Sequence, residues 1–130
     1  MADDFNILIR NCSSIERLAE AVSKFLGHPI EQRLDAEGKL YQNRTVGFEI
    51  SIFEADGFVD DHGIEFEKYP LMVSIHGLSS MNEARYFDEW FRLCALMLGD
   101  IISRKLVCEC LVVKNLFDVI ELFPSPASGE

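Results

Sequence analysis

The stretch Val46-Gly47-Phe48-Glu49-Ile50-Ser51-Ile52 decides the fold. Val46, Phe48, Ile50 and Ile52 alternate with Gly47, Glu49 and Ser51. A period of two puts one set of side chains on each face, so this is a strand with one buried face. Downstream, Leu71, Val73 and Ile75 alternate with Met72, Ser74 and His76 in the same way. Pro70 has no backbone donor and marks the start of that strand. Upstream, residues 30–33 and 39–44 form a weaker pair. Asp35-Ala36-Glu37-Gly38 between them is a hairpin turn, with Gly38 able to take positive φ. Four strands therefore follow one another without a helix between them.

Helices flank this block. Ile15, Leu18, Ala19, Val22 and Leu26 recur at helical spacing over residues 14–26. Ser13-x-x-Glu16 reads as a capping box, and Gly27 followed by Pro29 stops the helix. A longer helix is predicted over 80–104, capped by Ser80 and Glu83. Ala84, Phe87, Phe91, Cys94, Leu98 and Ile101 form its stripe, and Trp90, Met97 and Ile102 widen it. Arg85, Glu89, Arg92 and Ser103 lie opposite. Such a broad apolar surface predicts a central, heavily buried helix. Residues 4–10 and 107–113 read as strands at the two ends of the chain. Leu116, Val119, Ile120 and Phe123 fit either helical spacing, with Asn115 as N-cap, or a strand. The helix is the favoured reading.

The order β-α-β-β-β-β-α-β, with a short C-terminal helix, predicts an α+β fold. Its largely antiparallel sheet is covered on one face by two helices. The other face carries Glu49, Ser51, Phe53, Met72, Ser74 and His76. It is expected to be half polar and open to contact. With 130 residues, no linker and no repeat, the chain reads as one domain over 1–123, with a flexible tail over 124–130.

The balance of 22 acidic against 12 basic residues gives a net charge of −10. No basic run offsets it, so nucleic-acid binding is not expected. The start Met1-Ala2-Asp3-Asp4 lacks the basic region of a secretory signal, and the longest apolar runs are too short to span a bilayer. A cytoplasmic protein without membrane contact is expected. Cys12, Cys94, Cys108 and Cys110 lie in apolar contexts and read as reduced, buried thiols. Cys108 and Cys110 can share one face of a strand, but no second ligand pair completes a metal set. No phosphate-binding glycine loop and no nucleophile elbow is present. No catalytic residue, metal or cofactor is expected.

The charge is unevenly spread. Between Arg44 and Lys68 there is no base, and seven acids fall there: Glu49, Glu54, Asp56, Asp60, Asp61, Glu65 and Glu67. Clustered carboxylates speed encounter with a basic partner and suppress wrong ones, so these seven are the candidate partner-binding residues. A plain solvated hairpin is the competing reading. His62 and His76 are further functional candidates. A different class of reading makes Asp60, Asp61, His62 and His76 a small-ligand or metal module, or a hydrolase site, since hard cations want several oxygens and acid–base work wants paired carboxylates. The glycines at 57 and 63 do not match a calcium-loop register. A third reading makes the exposed sheet face a homodimer interface, and the oligomeric state is left open.

The acidic strand–loop–strand Glu49–Glu67, the following Tyr69-Pro70-Leu71-Met72-Val73-Ser74-Ile75, and the long helix ending in a β-rich tail resemble the immunity proteins of bacterial polymorphic toxin and contact-dependent inhibition systems. The resemblance implies tight binding to one cognate toxin domain, often a basic nuclease, and no enzyme activity.

Overall fold

The computed structural model describes residues 4–12, 14–27, 29–35, 38–45, 48–54, 64–77, 84–116 and 118–126. In chain order these form β1 (Asp4–Arg10), α1 (Ile15–Leu26), β2 (Glu31–Asp35), β3 (Gly38–Thr45), β4 (Phe48–Glu54), a single 3₁₀ turn (Phe66–Lys68), β5 (Leu71–Gly77), α2 (Ala84–Leu106), β6 (Glu109–Lys114) and β7 (Asp118–Phe123). The seven strands make one sheet in the order β2-β3-β4-β5-β1-β6-β7. Every neighbouring pair is antiparallel. Both helices pack on one face of it, so the fold is α+β as the strand pattern predicts.

The helix-side core is read off the register. Phe5, Ile7 and Ile9 of β1 lie beside Ile75, Val73 and Leu71 of β5. Ile50 and Ile52 extend the first two of these rows into β4. Cys110 and Val112 extend the sheet on the other side. All are buried with Leu18 and Val22 of α1 and with Phe91, Ala95, Leu98 and Ile102 of α2. Burying each large aliphatic or aromatic side chain here contributes about 1.5–3 kcal/mol.

Helix α1 is capped one residue later than the sequence motif suggests. Ser14 is the N-cap, and its side chain accepts the Arg17 N–H at 3.1 Å. Gly27 closes the helix at φ 85, in the left-handed region where a side chain is strained. Ser80 and Glu83, the expected cap of the long helix, lie outside the described residues.

The sequence reading of α2 needs correction. One stripe, Phe91, Ala95, Leu98 and Ile102, is buried, whereas Trp90, Leu93 and Met97 are 47%, 50% and 57% exposed. The helix lies on a sheet and buries only the side that touches it. Ser103, expected on the polar side, is buried and donates its hydroxyl to the Pro124 carbonyl at 3.2 Å. No helix among the described residues is long and apolar enough to cross a membrane.

The C-terminal segment is a strand, not a helix. Asn115 and Leu116 take φ 54 and 63, and two successive left-handed residues fold the chain back into a hairpin. The Asn115 side chain does accept a backbone N–H, as an N-cap would, but from Asp4 of β1 at 2.8 Å. The register shifts between Val112 and Val113, which leaves Ile120 as an extra residue. Val119 and Leu122 therefore share one face while Ile120 and Phe123 pack on the other. This bulge produces a spacing of three that imitates a helix in the sequence.

Two positions, one on α2 and one just past its end, test this account. A Cβ at Gly99 would stand 3.1 Å from Val112 Cγ2 and 3.2 Å from the Phe123 ring. Gly99→Val should therefore destabilise by about 1–3 kcal/mol through overpacking, seen as a lower urea midpoint. Val107, just past the end of α2, has φ 52, where a β-branched residue is strained, and its side chain is exposed. Val107→Asn should raise stability by about 1 kcal/mol, and a melting temperature that falls would refute the strain.

Candidate functional site

The sheet face away from the helices holds the candidate site. Register places Glu49, Ser51 and Phe53 of β4 beside His76, Ser74 and Met72 of β5. Asp4, Asn6 and Leu8 of β1 continue the same three rows. The six residues expected on this face do share it, but the face is not uniformly open.

At one end it is covered. Ile64, Phe66 and Tyr69 pack on Leu8, Met72, Leu111 and Val113 to make a second, smaller core, with Phe53 and Leu116 at its edge. The lead-in to β5 thus crosses back over the sheet. Ile64 makes an isolated bridge and Phe66–Lys68 one 3₁₀ turn. Their side chains anchor inward, while Glu65 and Glu67 point to solvent.

The polar end is a row of buried and half-buried groups. Glu49 is buried, and its Oε1 lies 3.4 Å from His76 Nε2. Asn6 is buried, and Ser51 and Ser74 are half-buried. Glu49 orients the imidazole as a carboxylate orients a catalytic base. Ser74, two residues along the same strand, shares this face with His76.

A third cluster was not visible in the sequence. Tyr69 donates its hydroxyl to Glu109 Oε2 at 2.6 Å, and Arg10 Nη2 lies 3.3 Å from Glu109 Oε1. The Arg10 guanidinium also sits 5.9 Å from the Tyr69 ring centroid. Arg10 Nε is buried and meets no acceptor among the described residues. Arg10 and Glu109 are register partners on β1 and β6, so pairing brings together charges that are far apart in sequence. Only the isolated charge within each strand signalled it.

The candidate acids separate into two groups. Glu49 is internal. Glu54 is exposed at the end of β4, opposite Leu71, the first residue of β5. Glu65 and Glu67 are exposed in the lead-in to that same strand, and Glu65 pairs with Lys68 at 2.9 Å. These three approach one end of the sheet. Asp56, Asp60, Asp61 and His62 lie outside the described residues.

No protein-family model, curated protein or solved structure matches the chain. The chemistry must be read from these groups alone.

The thiols form a further set. Cys12 and Cys108 share a hydrogen bond, as do Cys108 and Cys110, and the Cys108 thiol also donates to the Ile102 carbonyl at 3.7 Å. The hydrogen bond with Cys108, and then burial, push the Cys12 thiol up. The hydrogen bond with Cys110, ahead of burial, pushes Cys108 up to about 12, although its bond with Cys12 acts in the opposite sense. Neutral thiols are poor nucleophiles and poor metal ligands. No set of three or more metal-binding side chains forms among the described residues. Burial, and then the bond to Glu109, raise the Tyr69 phenol in the same direction.

These shifts give a pH dependence of defined sign. The folded protein holds the Cys12, Cys108 and Tyr69 protons to higher pH than the unfolded chain does. Their contribution is therefore complete below the ordinary thiol value of 9.0 and is lost as pH rises above it, for Cys108 through about 12. Stability measured by urea unfolding should fall steadily above about pH 9. Cys108→Ala should flatten the fall from its onset, and Tyr69→Phe only above the ordinary phenol value of 10.0. An unchanged alkaline slope in both variants would refute these assignments.

Proposed function

We propose that the chain is a non-catalytic binding protein, an immunity protein that inhibits a cognate basic toxin domain in the bacterial cytoplasm. The observation that carries this reading is the base-free acidic segment between Arg44 and Lys68 in a chain of net charge −10. Three of its carboxylates, Glu54, Glu65 and Glu67, are exposed around the start of β5. Glu65 and Glu67 flank Phe66, which is anchored in the second core, so the acids stand on a fixed support. Preset charges of one sign lower the ordering cost of docking and steer a basic partner into register. A nuclease is a suitable toxin, because the Lys and Arg that bind phosphate also bind carboxylate. Asp56, Asp60 and Asp61 belong to the same acidic segment of the sequence and are the further partner-binding candidates. Glu49, paired with His76, serves the fold instead.

The test uses the purified chain and the toxin-like domain encoded by the adjacent gene. Stopped-flow association should slow as salt rises. Glu54→Lys with Glu67→Lys, and separately Asp56→Lys with Asp60→Lys and Asp61→Lys, should cut the association rate about tenfold or more at low salt and flatten its salt dependence. Both described positions are exposed, so the melting temperature of the first variant should hardly move. If rate and salt dependence both stay as in the wild type, docking does not use this face.

A further inference from the structure

We infer that the polar row on the far face of the sheet is a binding site for a small neutral polyol, a molecule of monosaccharide size. Ser51 of β4, Ser74 of β5 and Asn6 of β1 are successive register partners, so they line up across three strands on one face. Asn6 is 3% exposed, and Ser51 and Ser74 are half-buried. No hydrogen bond joins any of the three side chains to another side chain or backbone group among the described residues. Buried polar groups in folded proteins are hydrogen-bonded, so a buried carboxamide without a protein partner is completed by something bound there.

The row has a deep end and an open end. Among the described residues, the one fully enclosed side-chain nitrogen or oxygen without a partner is Arg10 Nε, so the Asn6 carboxamide is not sealed off. Asn6 forms the deep end, and the row opens over Ser74 and Ser51 beside the partly exposed His76. Its two outer strands stand about 9.5 Å apart, room for more than one water molecule. The row lies toward the end of β5, away from Glu54 at its start, so it is separate from the acidic surface proposed above.

The chemistry of the lining selects the ligand. Each serine hydroxyl both donates and accepts, and the carboxamide offers two donors and an acceptor. None of the three carries a charge to balance a charged ligand in a half-buried place. Glu49 and Asp4, in the adjacent row with His76, add negative charge that repels an anion. Glu49 itself already faces His76. Hydroxyl groups, which donate and accept at one atom and bear no charge, meet all of these conditions. On the other side of the row, Phe53 and Met72 offer an apolar wall to the C–H face of such a molecule. Each hydrogen bond is exchanged with water for a modest net gain, so the dissociation constant is on the order of 1–10 mM.

Titrating the ¹⁵N-labelled full chain with D-glucose, D-ribose and myo-inositol, each to about 100 mM, reads the site through the Asn6 side-chain amide signals in NMR spectra. At least one of the three should move those signals to saturation, whereas sodium acetate and methylammonium chloride should not. Ser51→Ala with Ser74→Ala should weaken binding about tenfold, the effect of two lost hydrogen bonds. The melting temperature of that variant should hardly move, because neither hydroxyl bonds within the fold. Saturation by none of the three polyols would overturn the proposal and leave the row to water alone. So would equal binding of acetate or methylammonium, or binding that the double serine variant leaves unchanged.

Discussion

Strand β1 sits in the middle of the sheet, between β5 and β6, and residues Phe5 through Ile9 are all buried. Phe5, Ile7 and Ile9 face the helices, while Asn6 and Leu8 face away. A central strand that is apolar on both faces must be kept dry on both. Two amphipathic helices can cover only one of them. The connection from β4 to β5 supplies the second cover, laying Ile64, Phe66 and Tyr69 over Leu8, Met72 and Leu111. β4 and β5 are antiparallel neighbours that a short turn could join, yet sixteen residues separate Glu54 from Leu71. The need to bury Leu8 and its neighbours gives part of that length a structural role.

This cover also positions the acids. Phe66 points into the small core, so Glu65 and Glu67 on either side of it must face water. Tyr69 is drawn down by the same packing until its hydroxyl reaches Glu109, which Arg10 holds from β1. The covering segment is therefore fixed both by apolar contact and by a charged hydrogen bond, and a hydrogen bond to a charged group is worth about 1.5–3 kcal/mol.

What was legible in the sequence was what depends on local period. The alternation over residues 49–52 and 71–76 gave β4 and β5 their correct faces, and the 3.6-residue period gave α1 its buried side. Ile7-Leu8-Ile9 carried a further signal, since a continuous apolar run is the mark of a strand buried on both faces. That signal conflicts with the expectation of a half-polar, open far face. Non-local pairing was not legible. Arg10 with Glu109, and Cys12 with Cys108, meet only because β1 pairs with β6. The tail misled because its bulge turns a period of two into a spacing of three. Helix α2 misled because composition cannot tell an apolar side that meets a sheet from one left outside.

The net charge of −10 is thus not one property but three. Glu109 is paired with Arg10 and Glu49 is buried against His76, so both link neighbouring strands within the fold. Glu89 and Asp100 are balanced on α2 by Arg92 and Arg104, which leaves that helix with alternating signs. Glu54, Glu65 and Glu67 are exposed at one end of the far face, where Lys68 pairs with Glu65 at 2.9 Å. A cluster of one sign attracts a partner of the opposite sign, whereas acids and bases already paired along a helix leave little net field. The helix layer and the far face of the sheet therefore differ in their electrostatics, with the sheet between them.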